Sequence, residues 1–412
     1  MGWVVFGFGT AFALGTALWG GLARRLGLGP SLAAGVVMVA GGSLLAAVAP
    51  SLPWLIAARI IQGLGAGAIP TLSTAAIARR FEGAARARAL GAVIAAVGLG
   101  MALGPLLGGI ALELVGWPGP MAFGLVAAPA AILLARTDRD RDPTARIDLV
   151  GAALVSAAVV ATTFSLNRLP VLGLVPLTVG ALVVLAVTLP LLAQRARTSG
   201  AFVPHRIVAD PAFTQIVALG AVGMSAFLGS VVLVPIAAAR AHGLGGLGLG
   251  LLILPMAIVA ATVSFNNARA QARLGRRTTT IVSLAALAVG ALTTGLLGAA
   301  APPAITAVAL IPIGIGFGLL QAPLVNELTA AFDDADRPVA VGLYNLLFFI
   351  GGAAGAAIAT ALIQAGVELP IFVGRAVPGF STTEVLLAVG PALAATILVR
   401  RGGFRRTAVI AE

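Results

Sequence analysis

Apolar runs of about 20 residues, each closed by a short polar or arginine-bearing connection, recur along the whole chain. A run of that length crosses the hydrocarbon core of a bilayer as an α-helix. Cutting the chain at its charge clusters and turn residues predicts thirteen spans: 3–22, 32–50, 54–78, 89–112, 119–135, 147–166, 171–193, 212–238, 246–266, 278–300, 304–326, 338–364 and 384–399. Most are apolar on every face, as helices embedded in lipid or in a bundle core are. Glycine and alanine are dense within them, and small residues let membrane helices approach closely.

Composition narrows the picture. Of 412 residues, 59% are hydrophobic and 10% charged, with a mean hydropathy of +1.07. A soluble domain carries about 25% charged residues, so a water-soluble fold is excluded, and so is intrinsic disorder. The absence of cysteine removes disulfides, thiolate nucleophiles and thiolate metal sites; no cofactor and no metal are expected. A net charge of +12 and a pI near 11.8 usually point to nucleic acid. Here all 26 basic residues are arginines clustered between apolar runs, which is a topological signal, and no nucleic-acid partner is expected.

Twenty-two of the 26 fall in alternate connections, while Arg168, Arg240 and Arg375 lie in the opposite ones and Arg59 lies inside a span. Positive connections face the cytoplasm, which predicts a cytoplasmic C-terminus and an outer Met1. No charged region or cleavage site precedes the first run, so a signal peptide is not expected. Phe6 at the sixth position breaks the myristoylation pattern.

The chain also resembles itself. Gly65-Ala66-Gly67 matches Gly316-Phe317-Gly318 at an offset of 251, as do Phe81 with Phe332, Gly100 with Gly351 and Gly104 with Gly355. Arg25-Leu26-Gly27 matches Arg273-Leu274-Gly275 at 248. Six spans follow residue 211 and five precede residue 136. Shifting 212–238 back by the same offset lands before Met1. The expected design is therefore six plus six helices lacking the opening helix, with 147–166 and 171–193 as an inserted hairpin. This divides the chain into a bundle over 1–135, a hairpin with linkers over 136–197 and a bundle over 198–412.

Three motifs stand out. Gly100, Gly104, Pro105, Gly108 and Gly109 form a GxxxGPxxGG pattern. Its glycines make a flat helix face, and Pro105 removes a backbone donor and bends the helix. Arg59, Gln62, Gly63, Gly65 and Ala66 form RxxQGxGA inside a span. A guanidinium there is costly and needs a carboxylate, a line of carbonyls or a wet cavity. The connection after the first span reads Gly20-Gly21-Leu22-Ala23-Arg24-Arg25-Leu26-Gly27, and its counterpart keeps Arg273, Gly275, Arg276 and Arg277.

Together these motifs resemble the fourteen-helix drug–proton antiporter branch of the major facilitator superfamily, over essentially the whole chain. The resemblance implies an all-α integral membrane protein of two-bundle fold with an inserted helix pair, and about thirteen helices here. It implies a substrate site near the midplane between the halves. It also implies an antiporter motif on the fifth family helix, a role for Arg59 in proton transfer, and a gating function for the loop of Gly20, Arg24, Arg25 and Gly27. The family loop carries an aspartate where this chain has Arg24, which reverses the local charge and weakens that lock. In the second loop Ala272 stands in place of the acid.

Candidate cavity-lining residues are Gln321, Tyr344 and Asn345, interhelical hydrogen bonds being the plainer reading of each. Nearly all of the acids fall in connections or at span ends, and none is expected at a midplane. Glu113, at the outer end of its span, and Glu327, at the inner end of its own, are the candidate proton sites. The family's common coupling carboxylate lies on the helix missing here.

The resemblance implies a secondary transporter, not an enzyme, and the mostly apolar lining favours export of hydrophobic or amphipathic small molecules. It also implies proton coupling in the full-length form, through the absent helix or through Glu113 or Glu327, with uncoupled transport as the alternative. A monomer in a bacterial plasma membrane is expected, since arginine without lysine together with abundant alanine and glycine fits a high-GC genome. Two other readings stay open. One is a non-functional, N-terminally incomplete fragment. The other is a polytopic membrane enzyme built on Asp333, Asp334 and Asp336, a cluster that reads better as a solvated loop beside Arg337.

Overall fold

In a computed structural model, residues 2–137, 148–198, 201–333, 336–374 and 376–401 are described. Helices account for each expected span. They are α1 (Gly2–Leu26), α2 (Leu28–Ala47), α3 (Leu52–Arg80), α4 (Gly83–Val115), α5 (Pro118–Ala122), α6 (Ala128–Leu134), α7 (Leu149–Leu172) and α8 (Pro176–Arg195). The short α9 (His205–Val208) precedes α10 (Pro211–His242), α11 (Gly246–Phe265), α12 (Asn267–Leu297), α13 (Pro303–Ala309), α14 (Ile311–Ala331), α15 (Arg337–Ala365) and α16 (Phe380–Arg401). Among the described residues ten stretches are long and apolar enough to cross a membrane. The remaining expected spans correspond to α1, α4 and the broken run Pro118–Leu134.

Two compact units emerge. The first comprises Met1–Arg80, Ala111–Thr214 and Leu328–Ile350, and the second comprises Phe81–Ile110, Gln215–Glu327 and Gly351–Glu412.

In the first unit α3 packs between α1 and α2 through glycine. A β-carbon at Gly67 would fall 2.6 Å from the Phe12 carbonyl oxygen, one at Gly63 would collide with the Phe8 carbonyl, and one at Gly65 with that of Gly35. The Trp19 indole Nε1 donates to the Leu64 carbonyl at 2.9 Å. Val155 and Val159 of α7 pack with Ala13 and Ala17 of α1, Leu346 of α15 and Phe202. Asp148 secures the base of this hairpin. Its carboxylate accepts from the Gly151 amide at 2.9 Å, the Phe202 amide at 3.1 Å and Arg195 Nη2 at 2.8 Å. The Arg195 hydrogen bond, with help from both amides, holds the Asp148 carboxyl down to about 2.

The second unit repeats the first unit's close approaches in the same register. β-Carbons at Gly314, Gly316 and Gly318 of α14 would meet the carbonyls of Met256, Ser283 and Ala260. These partners on α11 and α12 lie 248 residues after Phe8, Gly35 and Phe12. Asn267 Nδ2, 248 residues after Trp19, donates to the Gly318 carbonyl at 2.8 Å. The loop repeat carries a conformation as well as a sequence. Gly27 sits at φ 90°, ψ 153° and Gly275 at φ 77°, ψ 159°, a region essentially restricted to glycine. The second connection is not an open loop: helix runs on both sides of the Gly275 break.

Candidate functional site

Arg59 lies on α3 one turn from Gln62, so their side chains share a helix face. Arg59 Nη1 donates to Gln62 Oε1 at 2.6 Å, and Gln62 Nε2 donates to Ser43 Oγ at 2.6 Å. The guanidinium carbon stands 4.5 Å from the centroid of the Phe8 ring, within cation–π range. The embedded cation is thus offset by an amide and an aromatic face. Nε has no hydrogen-bond partner among the described residues, leaving one donor for another acceptor.

Phe8 starts a row of rings within the first unit. It stacks near Phe12 at 6.2 Å, Phe12 meets Phe349 edge-on at 4.6 Å, Phe349 meets Phe348 at 5.3 Å, and Phe348 lies 5.6 Å from Tyr344. α1 and the first half of α15 supply this row. Gly342 of α15 approaches α1 closely, a β-carbon there falling 3.2 Å from the Thr16 carbonyl. Asn345 Nδ2 donates to Thr71 Oγ1 at 3.4 Å, and Thr71 in turn donates to the Thr16 carbonyl at 3.0 Å. Tyr344 is fully buried, and its hydroxyl, like Asn345 Oδ1, has no partner among the described residues. Arg59, Gln62, Tyr344 and Asn345, expected separately, are therefore joined by a row whose phenylalanines carried no signal in the sequence.

The other expected residues are placed differently. Gln321 belongs to the second unit. Glu327 pairs with Arg276 Nε at 2.9 Å, and Glu113 is exposed in the last turn of α4. Among the described residues β-carbons at Gly100, Gly104 and Gly108 would meet nothing within 4 Å, whereas those at Gly351 and Gly355, their counterparts on α15, would strike Ala221 and Ser225 of α10. The side chains of Arg24 and Pro105 and the surroundings of Gly109 lie outside the described residues. Gly20 is buried, while Arg25 and Arg273 are exposed. Of the acidic cluster, Asp334 lies outside the described residues. Asp336 is buried rather than solvated, held by Arg206 through Nε at 2.6 Å and through Nη2.

Two elements of the second unit went unread in the sequence. Glu384, expected at a span end, is one turn inside α16, fully buried, and accepts from Ser230 Oγ at 2.7 Å. α16 starts earlier than expected because its opening hydroxyls find partners: Thr383 donates to the Gly379 carbonyl at 2.6 Å and Thr382 accepts from the Leu369 amide at 2.8 Å. Nearby, a groove of about 340 Å³ between α10, α15 and α16 is lined by residues including Ser225, Ala226, Gly351, Ile358, Thr383 and Leu387.

Comparison with known proteins bears on the whole arrangement. Residues 1–356 match the family described as Major Facilitator Superfamily. The chain is 30% identical over 363 residues to the methylenomycin A resistance protein of Streptomyces coelicolor, covering 86% of this chain and 76% of that protein. It is 27% identical over 364 residues to the drug efflux pump JefA of Mycobacterium tuberculosis, covering 87% and 70%. In fold it is similar to the human organic anion transporter MFSD10, with a TM-score of 0.69 at 17% identity, over 96% of this chain and 83% of that one.

Proposed function

The chain belongs to the major facilitator superfamily, and on that premise we propose that it exports hydrophobic or amphipathic small molecules by alternating access, with protons as the coupled ion. The family consists of transporters rather than enzymes. The observation that carries the reading is the row of rings from Phe8 to Tyr344, bounded by Arg59 at one end and Asn345 at the other. Aromatic faces with a few fixed polar groups suit flat, apolar or weakly polar molecules. Resistance and efflux in the names of two relatives agree with export as the direction.

The reading includes a bacterial plasma membrane, a cytoplasmic C-terminus and a monomer, in keeping with the arginine distribution. It keeps the halves at 1–135 and 198–412 with the hairpin over 136–197 between them. Gly20 to Gly27 and Arg273 to Gly275 act as cytoplasmic gating turns, and Gly100 to Gly109 with Pro105 as a pliable helix face. Gln321 contributes to the lining, and Glu113 and Glu327 exchange protons at the two membrane surfaces.

Cells expressing the chain test this with ethidium, a flat amphipathic cation. Expression lowers ethidium accumulation, and Phe12→Ala or Asn345→Ala restores accumulation at equal surface expression. Accumulation that is the same with and without the chain overturns the reading for this class of molecule.

A further inference from the structure

Glu384 is a carboxyl group whose two forms differ by a full charge, held where no solvent reaches it. Oε2 accepts from Ser230 Oγ of α10 at 2.7 Å. Oε1 has no partner among the described residues, nor has Ser381 Oγ, three residues earlier on the same helix face and 2% exposed. Both stand against Gly295 of α12, where a β-carbon would fall 3.0 Å from Glu384 Cβ and 3.0 Å from the Ser381 carbonyl. Glycine at 295 thus lets α12 approach the first turn of α16 closely at these two residues.

Among the described residues, the surrounding elements bring no countercharge near. On α12 the arginines 269, 273, 276 and 277 lie at the other end, Arg277 being 18 residues before Gly295, or about 27 Å along the helix. On α10 Arg240 and His242 lie ten and twelve residues beyond Ser230, and His242 is turned to the carbonyls of Ala299 and Ala301. The second half of α15 carries no charge. Arg400 and Arg401 close the far end of α16, and Arg277 Nη2 binds the Leu398 carbonyl there. Arg375, nine residues before Glu384, is the nearest ionisable residue in sequence and lies outside the described residues; Glu368 precedes the Leu369 amide that donates to Thr382.

We propose that Glu384 and Ser230 form a proton-binding site that loads when the C-terminal half opens to the outside and unloads when it opens to the cytoplasm. In loading, hydronium gives its proton to Oε1, leaving a neutral acid and water. In unloading, the O–H bond breaks and the proton passes to water on the cytoplasmic side. Without a cation or water at hand, a charged carboxylate at this depth is strongly disfavoured. Proton loss is therefore tied to a state that hydrates the site, and this tie links the proton to alternating access. The site is separate from Glu113 and Glu327, which stand at membrane surfaces. Its role in coupling rests on the proton-linked export proposed above.

Infrared difference spectra of the purified chain between acidic and alkaline buffer test proton binding without any substrate. A carboxyl C=O band is expected in the wild type, lost in Glu384→Gln and shifted in Ser230→Ala. A band set unchanged in Glu384→Gln overturns the assignment. In proteoliposomes, Glu384→Gln is expected to lose ethidium flux driven by a pH gradient while keeping ethidium counterflow, with Glu384→Asp restoring the driven flux. Loss of counterflow together with driven flux indicates a structural role and overturns the assignment. A wild type that shows the band but whose flux ignores the gradient overturns the export reading and leaves the proton site standing.

Discussion

A single embedded arginine shows how much chemistry the molecule concentrates at a residue. Arg59 is held by Gln62 and by the face of Phe8, and no carboxylate partners it among the described residues. Arg59→Ala removes both interactions, and the expected outcome is loss of ethidium efflux at unchanged membrane insertion. Arg59→Lys keeps the charge but not the planar fork, so partial efflux is expected; full efflux in either variant contradicts the role. Asp148 is a different case, a structural clamp at the foot of α7. Arg195 and two amides favour the charged form and hold its carboxyl down to about 2. The unfolded value is about 3.9. The stabilisation is therefore fully present above about pH 4 and lost as pH falls through about 2. Asp148→Asn is expected to lower the melting temperature in detergent at neutral pH, and to abolish the part of the acid transition that the wild type shows in that window.

Elements explain what was and was not readable. The Arg59–Gln62 pairing was legible because three residues on a helix form a neighbour pair whatever the tertiary fold. The glycines at 65, 67, 316 and 318 were legible through their shared offset, and their carbonyl partners repeat in step. The ring row was not, since Phe12 and Phe349 meet only through packing of distant helices. Glu384 was hidden for another reason. The preceding Ser381-Thr382-Thr383 reads as a polar connection, yet the Thr382 and Thr383 hydroxyls are bonded to backbone and so sit comfortably at a buried helix start. The asymmetry between α4 and α15 was equally invisible: among the described residues the same glycine spacing packs against α10 in one and meets nothing in the other. At this scale Gly275 is the sharpest probe. Its φ of 77° strains any other residue, so Gly275→Ala is expected to cost about 1–3 kcal/mol, measured as reduced thermal stability. Gly180→Ala, inside α8 with open space around its β-carbon and no positive φ, serves as a control for space alone.

The basic excess of the whole molecule, which in a soluble chain would signal nucleic acid, is instead distributed between membrane spans. A chain so poor in charge keeps polar groups within its apolar spans at Arg59, Asn345 and Glu384. The proposed proton-coupled export gives all three a common role. The most direct test is ethidium flux through purified chain in proteoliposomes, with and without an imposed pH gradient. The account predicts that the gradient accelerates flux, that reversing it reverses the direction of net movement, and that a protonophore abolishes both effects. Flux of equal rate and direction under every gradient would contradict it.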